Sequence, residues 1–128
     1  MVYVIDSSVI ICYLLPDEKI PANFKRIFSK FSKQIIDFTA PSVLKYEVGN
    51  VLKSAVKRKR ISQKEAISLF STFLDLPIHY SSTNYQATFE LSIEHDLTFY
   101  DASYLSLARE KNAKLLTLDK KLKNVHLS

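Results

Sequence analysis

Apolar residues along this chain alternate between short unbroken runs and rows at helical spacing. The run Val2-Tyr3-Val4-Ile5 predicts a buried strand, and Val9, Ile10, Cys12, Tyr13 and Leu14 predict a helix reaching Pro16. Between Pro21 and Lys33, the residues Phe24, Ile27, Phe28 and Phe31 stand at i, i+3, i+4, i+7, as on a helix with one buried face. Gln34 to Thr39, containing Ile35-Ile36 and Phe38, reads as a second strand. Pro41 and Ser42 open a long helix, with Ser42 as its cap and Leu44, Val48, Val51, Leu52 and Ala55 on its apolar face. It ends in Lys57-Arg58-Lys59-Arg60, whose charges complement the negative end of a helix.

Ser62 and Glu65 have capping-box spacing and start a helix whose Ile67, Phe70, Phe73 and Leu74 face inward until Pro77 stops it. Ile78 to Tyr80 is a short third strand. Thr83 and Gln86 repeat the capping spacing before a helix running to about Glu94, and Asp101 heads another that bears Ala102, Leu105 and Ala108. Lys114 to Leu118 is a fourth strand, and Val125 to Leu127 adds a short edge strand. Strands alternating with helices throughout predict an α/β fold: one domain over residues 1–128, with a mostly parallel central sheet of about four to five strands flanked by helices.

Composition narrows the function. The 128 residues are 47% hydrophobic and 24% charged, ordinary globular usage that favours neither disorder nor a fibre. A single glycine excludes the Gly-rich phosphate loops, which need several for close backbone approach. Lone Cys12 excludes an internal disulfide, fits a reducing compartment and, among Ile10, Ile11, Leu14 and Leu15, reads as a core thiol. The chain enters a strand at once, without a signal-peptide pattern, and no apolar run reaches the roughly 18 residues of a membrane span. A cytoplasmic protein without membrane contact is expected. The net charge of +5 suits a polyanionic partner.

Against that basic background, four acids sit at the edges of apolar segments. Asp6 ends the first strand run and Asp119 follows Leu115-Leu116-Thr117-Leu118, so both fall near carboxyl ends of strands, where open parallel sheets bind ligands. Glu47, three residues after Leu44 and four before Val51, lies on the margin of its helix's apolar stripe; Asp101 precedes Leu105 by one turn. Gathered carboxylates repel one another unless a hard cation such as magnesium or manganese neutralises them. Singly, each has a plain structural use: Asp6 and Asp101 as helix caps, Glu47 as a surface charge and Asp119 as a turn former. It is their joint occurrence that points to a metal site.

The set Val4-Ile5-Asp6-Ser7-Ser8, Tyr46-Glu47-Val48-Gly49-Asn50, Tyr100-Asp101-Ala102-Ser103-Tyr104 and Leu116-Thr117-Leu118-Asp119 resembles the PIN domain, particularly the small nucleases of the VapC type, across essentially the whole chain. The resemblance implies a magnesium- or manganese-dependent endoribonuclease in which Asp6, Glu47, Asp101 and Asp119 are the catalytic and metal-binding acids. Ser8, Asn50 and Thr117 match the polar residues that support them. It further implies RNA as substrate, a cognate antitoxin protein as partner and a homodimer, for which the Phe-rich second and third helices offer surface. The chemistry is self-consistent, since metal-activated water supplies a nucleophile and the cation offsets charge on the attacking and leaving oxygens.

Other readings remain open in the sequence. A PIN-type RNA-maturation nuclease or a non-catalytic RNA-binding scaffold would carry the same acids. A phosphoacceptor domain of the haloacid dehalogenase type expects a second Asp where Ser8 stands, and a receiver domain expects paired acids where Ser7 and Ser8 stand. His79, His95 and His126 lack zinc-ligand spacing. Tyr46, Tyr100 and Tyr104 either pack or stack on bases, and Lys57 to Arg60 is either a solvated helix end or a phosphate grip.

Overall fold

The computed structural model describes residues 1–15 and 18–127. Its strands β1 (Val2–Ile5), β2 (Asp37–Ala40), β3 (Ile78–Tyr80) and β4 (Lys114–Leu116) form one sheet in the order β3-β2-β1-β4. Every pairing is parallel, with Val4 opposite Thr39 on one side and Leu115 on the other. Each crossover carries a pair of helices: α1 (Ser7–Leu14) and α2 (Ala22–Ser32), then α3 (Val43–Lys57) and α4 (Gln63–Asp75), then α5 (Tyr85–His95) and α6 (Phe99–Lys111), with α7 (Lys120–Leu127) after β4. The chain moves outward from β1 to β2 and β3, then returns to place β4 on the other flank of β1. The topological switch point is therefore between β1 and β4.

The α/β prediction holds, with four strands among the described residues. The expected edge strand at Val125 to Leu127 is instead the last turn of α7. Asp119 accepts a hydrogen bond from Leu122 N–H at 2.9 Å and starts a helix that buries Leu122. Pro16, the expected end of α1, lies outside the described residues, and the helix closes at Leu14. Ser62 and Glu65 do form a capping box. The cap of α5 is Asn84 rather than Thr83, and Ser42 makes no side-chain cap because its backbone is already helical.

Burial follows the sheet. Phe31 stacks on Phe38 of β2 with centroids 4.1 Å apart, and Phe28 meets the same ring edge-on. Phe24, Phe28 and Phe31 are thus spent in the core, and α2 offers no Phe surface to a second copy. In α4 only Ala66 and Phe73 are buried, whereas Ile67 and Leu74, expected inside, are exposed because the inward stripe of this helix is narrow. Cys12 is a buried core thiol whose Sγ donates to Lys19 O at 3.2 Å. α6 is buried without a break from Ala102 to Ala108, packed between the sheet, α5 and α7, which holds its amino-terminal turn rigidly over the sheet edge. No helix among the described residues is long and apolar enough to cross a membrane.

α7 is tied to β4 by His126, whose Nε2 accepts a hydrogen bond from Leu115 N–H at 3.2 Å. Burial, and secondarily Arg109, push the imidazole pKa below its ordinary 6.5. A protonated ring cannot accept that bond. The folded-state pKa is the lower one, so this contribution to stability is complete above pH 6.5 and is lost as pH falls from there through the depressed value. Urea unfolding of the wild type near pH 8 and near pH 5.5 should show this loss, and His126→Gln, which keeps an acceptor but no titrating ring, should remove it. An equal pH dependence in both proteins would exclude His126 as its source.

Candidate active site

β1 delivers Asp6 directly to the switch point. Asp6 has extended backbone angles and is the N-cap of α1, its Oδ1 accepting from Val9 N–H at 3.2 Å and from Ser8 Oγ at 2.6 Å. Its other oxygen, Oδ2, accepts from Thr117 Oγ, just beyond β4, so one buried carboxylate joins the two strands that flank the switch point. Thr117 Oγ accepts in turn from Asp119 N–H at 2.9 Å, and Ser8 Oγ accepts from Leu118 N–H at 2.9 Å. The β4–α7 turn that carries Asp119 is thereby locked onto the α1 start that carries Asp6. The structural reading of Asp6 as a helix cap is correct, and the capping carboxylate still stands at the switch point.

The remaining acids arrive from helices. Glu47, half-buried on α3, accepts from the hydroxyl of Tyr104, a ring with no exposure at all. Tyr104 is thus unavailable for stacking on a base; its place is to fix Glu47. Asp101 stands in the first turn of α6, and the cap of that helix is Thr98, whose Oγ accepts from Asp101 N–H at 3.0 Å. Asn50 is exposed one turn beyond Glu47 on the wall of a cavity that also includes Glu47.

The four acids are linked electrostatically through Asp101. Burial raises the Asp6 pKa first of all, against hydrogen bonds from Ser8, Thr117 and Val9, and Asp101 adds repulsion. Glu47 is raised by burial, opposed by the Tyr104 bond, with repulsion from Asp101 and Asp6. Asp101 is raised by burial and then by Asp119, partly relieved by the Thr98 bond and by Lys121. Asp101 is thus the hub, coupled to each of the other three. Lys121, which follows Asp119 by two residues and also bonds to Asp96, is the cation that sequence reasoning missed. Only its juxtaposition with Asp101 in space marks it.

Among the described residues, no three acidic, histidine or cysteine side chains are drawn together as a ready-made metal cage. The donors nevertheless suit a hard divalent cation: they are all carboxylate oxygens, and those of Asp6, Glu47 and Asp101 are raised in pKa first by burial and then by repulsion, which a cation would offset. Magnesium usually takes one or two carboxylates and keeps several waters, so a closed cage is not required.

The parallel sheet with its switch-point acids defines the class: the PIN domain family model matches residues 3–126, and the chain belongs to that family. It is homologous to ribonuclease VapC3 of Pyrobaculum aerophilum, at 30% identity over 126 residues that span 95% of this chain and 92% of the relative. Ribonuclease VapC1 of Mycobacterium tuberculosis is 35% identical over 86 residues, covering 65% of this chain and 63% of that protein. Among solved structures, PAE2754 from Pyrobaculum aerophilum shares the fold with a TM-score of 0.74 at 21% identity, over 94% of this chain and 81% of that one. VapC20 of Mycobacterium tuberculosis, a toxin that cleaves the sarcin-ricin loop, superposes with a TM-score of 0.68 at 14% identity, over 96% and 94%.

Tyr104→Phe should cost about 1–3 kcal/mol, because it leaves the half-buried Glu47 carboxylate without its donor. Urea unfolding near pH 7.5 measures this. The same change in a Glu47→Gln background should cost less, since no charge is then stranded. Equal costs in the two backgrounds would mean that the pair is not coupled.

Proposed function

We propose that this protein is a VapC-like endoribonuclease that hydrolyses RNA phosphodiester bonds at the cluster of Asp6, Glu47, Asp101 and Asp119 with a magnesium or manganese ion. The observation that carries the reading is the convergence of these acids at the switch point of a PIN fold, where Asp101 is within electrostatic reach of each of Asp6, Glu47 and Asp119. A cation bound there would make water nucleophilic at neutral pH and offset charge on the phosphoryl oxygens. The protein's own part is to hold the carboxylates: Ser8 and Thr117 orient Asp6, Tyr104 orients Glu47, and the buried α6 presents Asp101. Asp6 and Asp101 are the principal candidate ligands. Asn50 serves at the cavity wall.

A cognate antitoxin and a homodimer belong to the same reading, as does a reducing intracellular location suggested by the lone buried Cys12. Since α2 is spent in the core, Phe89 and Ile93, exposed one turn apart on α5, are the better surface for a second copy. The basic run is a weaker candidate for gripping phosphates near the acids. Lys57 lies about 15 Å along the α3 axis from Glu47, and Arg60 pairs with Glu18 at 3.2 Å.

Purified protein should cleave single-stranded RNA in magnesium or manganese and stop in EDTA. Full cleavage in EDTA, with trace metal removed, would overturn the mechanism.

Asp101→Asn separates a metal site from a structural ion pair. The raised folded-state pKa values of Asp6, Glu47 and Asp101 mean that their stability contribution is present below their unfolded values and is lost as pH rises through the folded ones. Where the cluster is ionised it therefore strains the fold. Removing one charge relieves repulsion but forgoes a favourable helix-dipole term of about 0.3–1 kcal/mol, so stability in EDTA should change by about 1 kcal/mol at most. Cleavage and the thermal stabilisation given by manganese should both disappear. A loss of about 3–5 kcal/mol in EDTA would instead identify a buried salt bridge.

A further inference from the structure

Along the carboxyl edge of the sheet, the acids stand over β1 and β4, while the edge over β2 and β3 is occupied by a cavity of about 570 Å3. Its walls carry four aromatic rings, Tyr46, Tyr85, Phe99 and Tyr100. Tyr46, Tyr85 and Tyr100 are 77%, 69% and 59% exposed, a large outlay of ring surface toward solvent. Between the rings are serine and threonine hydroxyls from the segments after β2 and β3, together with the Asn50 amide. Among the described residues Glu47 is the sole charged side chain on the walls, and it belongs at once to the cavity and to the acidic cluster.

We infer that this cavity is a nucleobase subsite, which takes an unpaired base of single-stranded RNA next to the phosphate held at the acids. The inference rests on the ribonuclease reading and adds to it the part of the substrate that lies beside the reacting bond. Three observations favour a base. Among the described residues the walls carry no cation, so a phosphate has no partner there, whereas a neutral planar group does. Exposed rings are sequence-tolerant stacking platforms, and hydroxyl and amide groups can bond a base's edge. The cavity adjoins the acids, because Glu47 lines it beside the rings while Tyr46 and Tyr100 precede Glu47 and Asp101 in sequence. A strand of RNA laid along the sheet edge would place its backbone at β1 and β4 and its neighbouring base over β2 and β3. A duplex keeps its bases stacked inside and cannot fill the cavity.

The test is an abasic scan. A short single-stranded RNA is prepared with the base removed from one nucleotide at a time, and kcat/KM in magnesium and affinity in calcium are measured for wild type, Tyr46→Leu/Tyr100→Leu and Tyr46→Phe. Wild type should lose about 5- to 150-fold in affinity when one particular base, next to the cleaved bond, is missing. The double Leu variant should already have lost that factor with intact RNA and should be indifferent to the missing base, while Tyr46→Phe, which keeps its ring, should behave as wild type. Circular dichroism checks the fold, which the exposure of both rings leaves undisturbed. Cleavage by wild type with the same cost of base removal in the double variant would overturn the base subsite alone and would assign the rings to a protein partner. Neither binding nor cleavage by wild type would overturn the ribonuclease reading and this inference together.

Discussion

The hydrogen bond from Thr117 to Asp6 is the constraint on which the site depends. It crosses the gap between β1 and β4 at the point where the chain reverses its direction of travel across the sheet, and it leaves a carboxylate almost wholly enclosed. An ion so buried is costly unless donors surround it. Ser8, Val9 N–H and Thr117 supply three, and two of these same groups hold the turn before Asp119 in place through Leu118 N–H and Asp119 N–H. Capping a helix, closing the sheet edge and aiming an acid are thus a single arrangement.

Around that centre the other acids are held by unlike means. Glu47 depends on one buried phenol, while Asp101 depends on the rigidity of a helix buried along seven consecutive residues from Ala102 to Ala108. Neither device neutralises the charge it holds. Repulsion among the four is left standing, and Lys121 relieves it only at Asp101. A fold that keeps these anions together while its net charge is +5 has separated its acidic centre from a surface suited to a polyanion.

The edge of the sheet divides into two chemically distinct halves, and the division follows from topology. Strands β1 and β4 end in carboxylates and hydroxyls, whereas β2 and β3 end in serines and threonines beneath exposed rings. α3 bridges the halves, since Glu47 faces the acids while Tyr46 and Asn50 border the cavity.

Much of this was legible in the linear pattern. Unbroken apolar runs and helical spacing located the four strands and the helices of each crossover, because burial imposes its period on sequence whatever the neighbours are. The candidate acids were visible through their joint occurrence at the margins of apolar segments, since each of them singly has a plain structural use. What the pattern could not carry was anything that depends on which elements meet. Val125 to Leu127 looks like a strand until His126 meets Leu115 N–H and Leu122 finds a buried place, which makes the segment a helix. The Phe residues of α2 look available to a partner until Phe38 takes them. Tyr46, Tyr100 and Tyr104 are equivalent as letters beside acids, yet one is enclosed and two are exposed, because α6 is buried beyond its first turn and α3 on one face only. Periodicity records how deeply a residue is buried; the identity of its neighbours is decided only when distant segments pack.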